Sequence, residues 1–166
     1  MIDKTFIIII SILIVQRIIE LYISKRNEKW LLENGATEFG HSHYKYIVIL
    51  HTLFIASLII NFFSVQNKYF FILPFILVLI LQIFRFWVIF SLGNYWNTKI
   101  LRIPNSPLIK KGLYKYLKHP NYIIVICEIL LIPLIFGLYI TSIIFTILNA
   151  VILYKRLKIE NEALTS

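Results

Sequence analysis

The strongest constraint on this chain is a series of apolar blocks, each long enough to cross a bilayer. A helix needs about 20 apolar residues, within a range of about 17–25, to span the hydrocarbon. Residues 5–23, 46–64 and 69–90 meet this requirement. Residues 122–137 and 138–154 form one further stretch, too long for a single helix, with Pro133 and Gly137 near its middle. We read it as a tight hairpin of two short helices. The expected fold is all-α: an integral membrane helical bundle of five transmembrane helices, the last two forming a hairpin. Hydrophobic residues make up 59% of the chain and charged ones 15%, which excludes a soluble domain of this length. Nothing repeats internally, so residues 1–166 read as one domain.

The net charge of +9 raises the question of nucleic acid. The basic residues, however, sit in short segments between the apolar blocks, where anionic lipid head groups lie. We therefore expect the lipid bilayer as partner and no nucleic acid. Lysine and arginine also set the orientation. Residues 24–45, 91–121 and 155–166 together hold thirteen, whereas the opposite side holds only Lys4 and Lys68. The positive-inside rule then places the N-terminus outside and the C-terminus in the cytoplasm. Cys127 lies inside an apolar run and reads as a small buried hydrophobe. No signal-peptide cleavage site follows the first apolar run, and Ala163-Leu164-Thr165-Ser166 is no prenylation motif.

With that orientation, Arg17, Glu20, His51, Gln82, Arg85, Glu128 and Asn149 all fall toward the cytoplasmic ends of their spans, with Asn61 as the main exception. A charge at a span centre costs about 2.5–3.5 kcal/mol on insertion scales, so such groups face one another or a wet cavity. Each alone is explained by snorkelling or by one local pair, such as Arg17–Glu20 at i,i+3. Their gathering from every span into one leaflet favours a polar cavity open to the cytoplasm.

Two segments carry candidate chemistry. Residues 103–122 read IPNSPLIKKGLYKYLKHPNY. Their prolines and glycine impose an irregular backbone that suits the heterocycle and polar tail of a small cofactor. The tyrosines can stack on a base or flank a cation. The same composition equally suits a basic, aromatic loop resting on head groups. Residues 155–164, KRLKIENEAL, contain Arg156–Glu160 and Lys158–Glu162 at i,i+4. These can be a solvated helix face, or a carboxylate placed to accept both hydroxyl protons of a ribose. His41 and His43 make a weak metal signal without further ligands, and no metal is expected. The chain has no G-x-S-x-G, phosphate-loop or H-E-x-x-H motif.

His119-Pro120-Asn121-Tyr122, preceded by GLYKYLK and followed by the two-helix stretch and then Arg156-x-x-x-Glu160-x-x-x-Leu164, resembles the isoprenylcysteine carboxyl methyltransferase family. SKRNEKWLLENGATEFGHSHY and SLGNYWNTKI further resemble its short bacterial branch. The resemblance covers nearly the whole chain. It implies a membrane methyltransferase domain using S-adenosylmethionine, with cofactor-binding segments at 103–122 and 155–164. Carried over by position, the cofactor contacts are Ser106, Pro107, Leu108, Ile109, Tyr114, His119, Pro120, Asn121, Tyr122 and Glu160. Arg156 matches the family's substrate-contacting arginine and is the expected catalytic residue, with Arg85 as a second oxyanion holder. Two departures stand out. Asn161 occupies the place of a second glutamate, and members of the eukaryotic type continue beyond the position of Ser166.

The expected activity is O-methylation of an amphiphilic small molecule or lipid, through a hydroxyl or carboxylate, at the cytoplasmic leaflet of the cell membrane. Two rivals remain. Membrane sterol-type reductases share an H-P-x-Y segment but bind NADPH and usually have more spans. A non-enzymatic scaffold or transporter subunit would leave the clustered polar groups unexplained.

Overall fold

A computed structural model of the protein describes residues 1–107 and 109–165. Leu108, one of the expected cofactor contacts, lies outside them. The fold is helical: α1 is Ile2–Glu33, α2 His41–Ser64, α3 Ile72–Leu92, α4 Pro120–Ile135 and α5 Tyr139–Thr165. Four stretches, Ile2–Glu33, His41–Ser64, Ile72–Tyr95 and Tyr139–Ala163, are long and apolar enough to cross a membrane. The fifth helix, α4, is apolar but only 16 residues long. The long helices bury little of their apolar surface: Ile8, Ile12, Ile60, Leu73, Ile83 and Ile140 point outward. In water such a surface would drive aggregation, whereas in lipid it is the expected exterior, so the chain is an integral membrane protein.

One end of the bundle is closed by aromatic packing. Phe6 of α1 stacks on Phe62 of α2 at 3.7 Å between ring centroids, and Phe136 meets both edge-on, at 4.9 and 5.4 Å. The edge-to-face contacts of Phe136 suit the ring quadrupoles. Leu58, Ile129, Ile132 and Ile135 extend that core along α2 and α4. After α4 the chain turns at Phe136-Gly137, with Gly137 at φ +70°. Helix α5 then returns against α4. Ser142 Oγ donates to Leu130 O near the turn, and Arg156 Nε donates to Tyr122 Oη at the far end of the pair.

The other end is polar and more elaborate than hydropathy suggests. Helix α1 does not stop where its apolar block ends but continues to Glu33, because no helix breaker intervenes before Asn34-Gly35. This extension is a post for the segment after α3. Asn27 Nδ2 donates to Gly93 O and Trp96 O, at 3.0 and 2.8 Å. Ser24 Oγ contacts Asn97 Oδ1 and Thr98 Oγ1, and accepts from the Thr98 amide. A short ladder follows, with β1 (Thr37–Phe39) antiparallel to β2 (Ile100–Arg102) and Glu38 opposite Leu101. Lys99 ties it down through Glu28 at 2.6 Å and Glu38 at 3.3 Å. These partners, the hydrogen bond to Glu28 first, raise the lysine's pKa and keep it charged. Gly40 begins α2 at φ +64°, and a Cβ there would lie 2.9 Å from Ile159 of α5.

Candidate functional site

The HPNY segment is a helix start. His119 is the N-cap of α4 and Pro120 occupies its first turn, where the missing amide hydrogen costs nothing. That places Tyr122 one turn into α4, beside the last turns of α5. On α5, Arg156 and Glu160 share a face at i,i+4 spacing. They meet through the tyrosine: Tyr122 Oη donates to Glu160 and accepts from Arg156 Nε at 2.9 Å. The His119 ring stacks parallel on Tyr122 at 5.3 Å, and its Nδ1 lies 3.5 Å from Glu160 Oε1. His119, Tyr122, Arg156 and Glu160 are thus one linked group. Burial lowers the His119 pKa below its ordinary 6.5, against the pull of Glu160 and with a small push from Lys118. Burial raises that of the Tyr114 hydroxyl, with the Glu160 charge acting in the same direction, so Tyr114 stays protonated.

This group borders two cavities. The larger, about 400 Å³, lies toward the polar end of the molecule and is lined by Pro107, Ile109, Tyr114, His119, Asn121 and Glu160, among others. The smaller, about 220 Å³, lies among the helices, with Leu21, Ile47, Val48, Ile55, Val125 and Leu153 as apolar walls. Both are lined by Trp96, Asn97, Asn121, Tyr122 and Arg156, which form the wall between them. Two atoms of that wall, Trp96 Nε1 and Asn121 Oδ1, are buried with no hydrogen-bond partner among the described residues. Buried polar atoms are nearly always paired, so orphans at a cavity wall point to a ligand.

The expected site residues divide accordingly. Pro107, Ile109, Tyr114, His119, Asn121, Tyr122 and Glu160 come together at the larger cavity. Ser106 and Pro120 stand behind it. Ser106 Oγ closes a turn onto Ile103 O at 2.8 Å, and its own carbonyl accepts from Arg102 at 2.5 Å. Arg156 faces both cavities. Arg85 reaches the smaller one and spends three of its five N–H donors on carboxylates: Nε and Nη2 bond Glu20 and Nη1 bonds Glu128 at 2.6 Å. Arg17 bridges the same two carboxylates at 2.9 and 3.0 Å. Two arginines and two glutamates from α1, α3 and α4 thus make a neutral buried cluster. Asn161 is turned to Lys118 instead, at 2.8 Å. Trp96 and Asn97 were not expected at the site. Their signal was the SLGNYWNTKI run, whose polar residues are pinned to α1 by Ser24 and Asn27.

The cavities' chemistry fits the cofactor that the sequence implies. About 400 Å³ is within the range of sites for nucleotide-sized ligands. Glu160 offers carboxylate oxygens for ribose hydroxyls. Tyr114 and the His119–Tyr122 stack offer aromatic faces.

A sequence model described as the isoprenylcysteine carboxyl methyltransferase (ICMT) family matches residues 72–166, which include α3, α4, α5 and the whole linked group. The chain is 47% identical over 161 residues to the uncharacterized protein YpbQ of Bacillus subtilis (strain 168), covering 96% of each. It is 30% identical over 172 residues to an uncharacterized protein of Haemophilus influenzae, covering 99% of this chain and 95% of that one. No solved structure matches the chain.

Proposed function

The chain belongs to the isoprenylcysteine carboxyl methyltransferase family, and from that premise we propose that it transfers a methyl group from S-adenosylmethionine to an oxygen of a lipid-like acceptor at the cytoplasmic leaflet. The observation that carries this reading is the shared wall. A polar cavity and an apolar cavity meet at Tyr122 and Arg156, so a water-soluble donor and a membrane-dissolved acceptor are brought to one point from opposite sides.

When bound, S-adenosylmethionine supplies an electrophilic methyl group on a sulfonium. The residues of this chain bind, align and exclude water. Glu160 would hold the ribose hydroxyls. Pro107, Ile109 and Tyr114 would take the base, with Ser106 and Pro120 fixing the backbone of their segments. Asn121 and the His119–Tyr122 stack would complete the donor's site beside Arg156. Arg156, whose Nε is fixed by Tyr122, turns its remaining guanidinium hydrogens to the acceptor oxyanion. Arg85 is committed to Glu20 and Glu128, so we assign it to holding the apolar cavity open rather than to the acceptor. We assign the acceptor's entry to the side of the apolar cavity lined by Leu21 of α1 and Val48 of α2, both half-exposed.

The test is a titration of the purified protein with S-adenosylmethionine and with NADPH. Binding of the first alone supports the reading, and binding of NADPH alone replaces it with a reductase. Glu160→Gln removes a charge-assisted hydrogen bond, for which about 1.5–3 kcal/mol is typical, so affinity for S-adenosylmethionine falls roughly ten- to a hundredfold. Unchanged affinity in that variant rejects the site.

A further inference from the structure

We infer that Asn149 is a specificity residue: it donates a hydrogen bond to a second oxygen of the methyl acceptor, so that the preferred acceptor is an amphiphile whose head group carries oxygens at both ends. The inference rests on the methyl-transfer reading above.

Asn149 lies on α5, seven residues before Arg156. Seven residues are nearly two full turns, so the two side chains share a helix face, about 10 Å apart along the axis at 1.5 Å per residue. Both line the apolar cavity, with Leu153 between them. Asn149 is 1% exposed, and its Nδ2 has no hydrogen-bond partner among the described residues. The side-chain amides of Asn61 and Asn27, by contrast, donate to backbone carbonyls. Asn61 donates to Ser57 O at 3.0 Å, one turn back on its own helix, and Asn27 donates to Gly93 O and Trp96 O. Asn149 makes no such bond to the turn below it. An unpaired amide in an apolar setting is costly, and a side chain of this kind normally finds the local carbonyl. Its donor is kept for the cavity.

The chemistry of the cavity then defines the ligand. Three donors stand at its polar points, Arg156 at one end, Asn149 deeper and Trp96 Nε1 on the shared wall, where the unpaired acceptor Asn121 Oδ1 also lies. Arg17 and Arg85 are balanced by Glu20 and Glu128, which leaves Arg156 as the cation for an anionic oxygen. A neutral amide two turns deeper suits a carbonyl or ether oxygen. A plain fatty acid or alkylphenol satisfies Arg156 and leaves Asn149 unpaired. A head group with a ring between two oxygens satisfies both. Sites built to hydrogen-bond a substrate group discriminate against analogues lacking it.

The experiment compares a para-alkylphenol with the para-acylphenol of equal chain length, each presented in liposomes with S-adenosylmethionine. Wild type and Asn149→Leu are each assayed for kcat/KM on both probes. The carbonyl also makes the phenol more acidic, and the ratio of the two ratios cancels that effect. The expected result is a wild-type preference for the acylphenol over the alkylphenol that shrinks about tenfold in Asn149→Leu. Equal losses on both probes, or a preference that survives the substitution, overturns the inference. Asn149→Ala repeats the comparison with a smaller side chain that carries no donor, in case the leucine variant fails to fold. Binding of both probes is followed in parallel by tryptophan fluorescence. Absent turnover with an Asn149-dependent binding preference sinks methyl transfer alone, and equal binding of the two probes by wild type sinks the role of Asn149.

Discussion

At the residue scale, the linked group of His119, Tyr122, Arg156 and Glu160 sets a pH dependence. Burial holds the His119 pKa below 6.5, so at neutral pH its ring is uncharged beside the Glu160 carboxylate. A cationic methyl donor is favoured by that carboxylate and would be opposed by a charged imidazole. Binding the donor therefore lowers the His119 pKa further, and by linkage protonation of the ring weakens binding. The sign follows: affinity for S-adenosylmethionine stays level as pH falls toward 6.5 and drops only below it, and His119→Ala removes the part of that drop due to the ring. Calorimetric titrations across that range check it, and an affinity that rises on acidification contradicts it. These residues were legible in the sequence because the HPNY segment is local. An N-cap and a proline in the first helical turn are written in adjacent positions, and Arg156 and Glu160 are one turn apart. Arg85 was not legible in the same way. Its carboxylate partners Glu20 and Glu128 lie 65 and 43 residues away, so nothing adjacent in the sequence pairs them with it.

At the scale of elements, that cluster ties α1, α3 and α4 together within the bundle. Arg85→Met leaves Glu20 and Glu128 with Arg17 alone, so a surplus negative charge remains where water is scarce. Breaking a buried pair from one side costs about 3–5 kcal/mol. We expect a large fall in melting temperature in detergent for Arg85→Met and partial recovery in Arg85→Met/Glu128→Gln, which removes the surplus charge. Equal melting temperatures for wild type and the single variant would show that the cluster does not hold the helices. Hydropathy located the apolar parts of these elements well but not their ends. It marks where lipid begins, whereas a helix ends at a breaker, and α1 therefore runs on through Ser24 and Asn27 to Glu33. The β1–β2 ladder was not foreseen either. Strands of three residues carry too little periodicity to read, and their pairing joins positions such as Thr37 and Arg102.

At the scale of the whole molecule, the charges and the cavities constrain each other. The thirteen lysines and arginines of the three basic segments belong to the end that carries the β ladder, the larger cavity and the tail of α5. Lys4 and Lys68 belong to the opposite end, where Lys68 pairs with Asp3 at 2.5 Å and lies over the rings of Phe62 and Phe63. A soluble cofactor is available only in the cytoplasm, and the positive-inside rule independently assigns the basic end to that side. With the basic end in the cytoplasm, an external N-terminus and a cytoplasmic C-terminus would be separated by an odd number of crossings. Helix α4 is the critical element. At about 1.5 Å per residue its 16 residues cover about 24 Å, less than the roughly 30 Å of hydrocarbon. A crossing by α4 would require the Phe136-Gly137 turn as well and some local thinning of the bilayer, a modest cost per ångström. A reporter fused after Ser166 is therefore expected in the cytoplasm and one fused before Met1 outside. A third reporter, placed at Gly137 in the turn, separates the alternatives: it is external if α4 crosses. If Met1 reports external and Gly137 cytoplasmic, α4 does not cross, α5 carries the C-terminus outside, the five-span arrangement fails, and the larger cavity loses its assigned side.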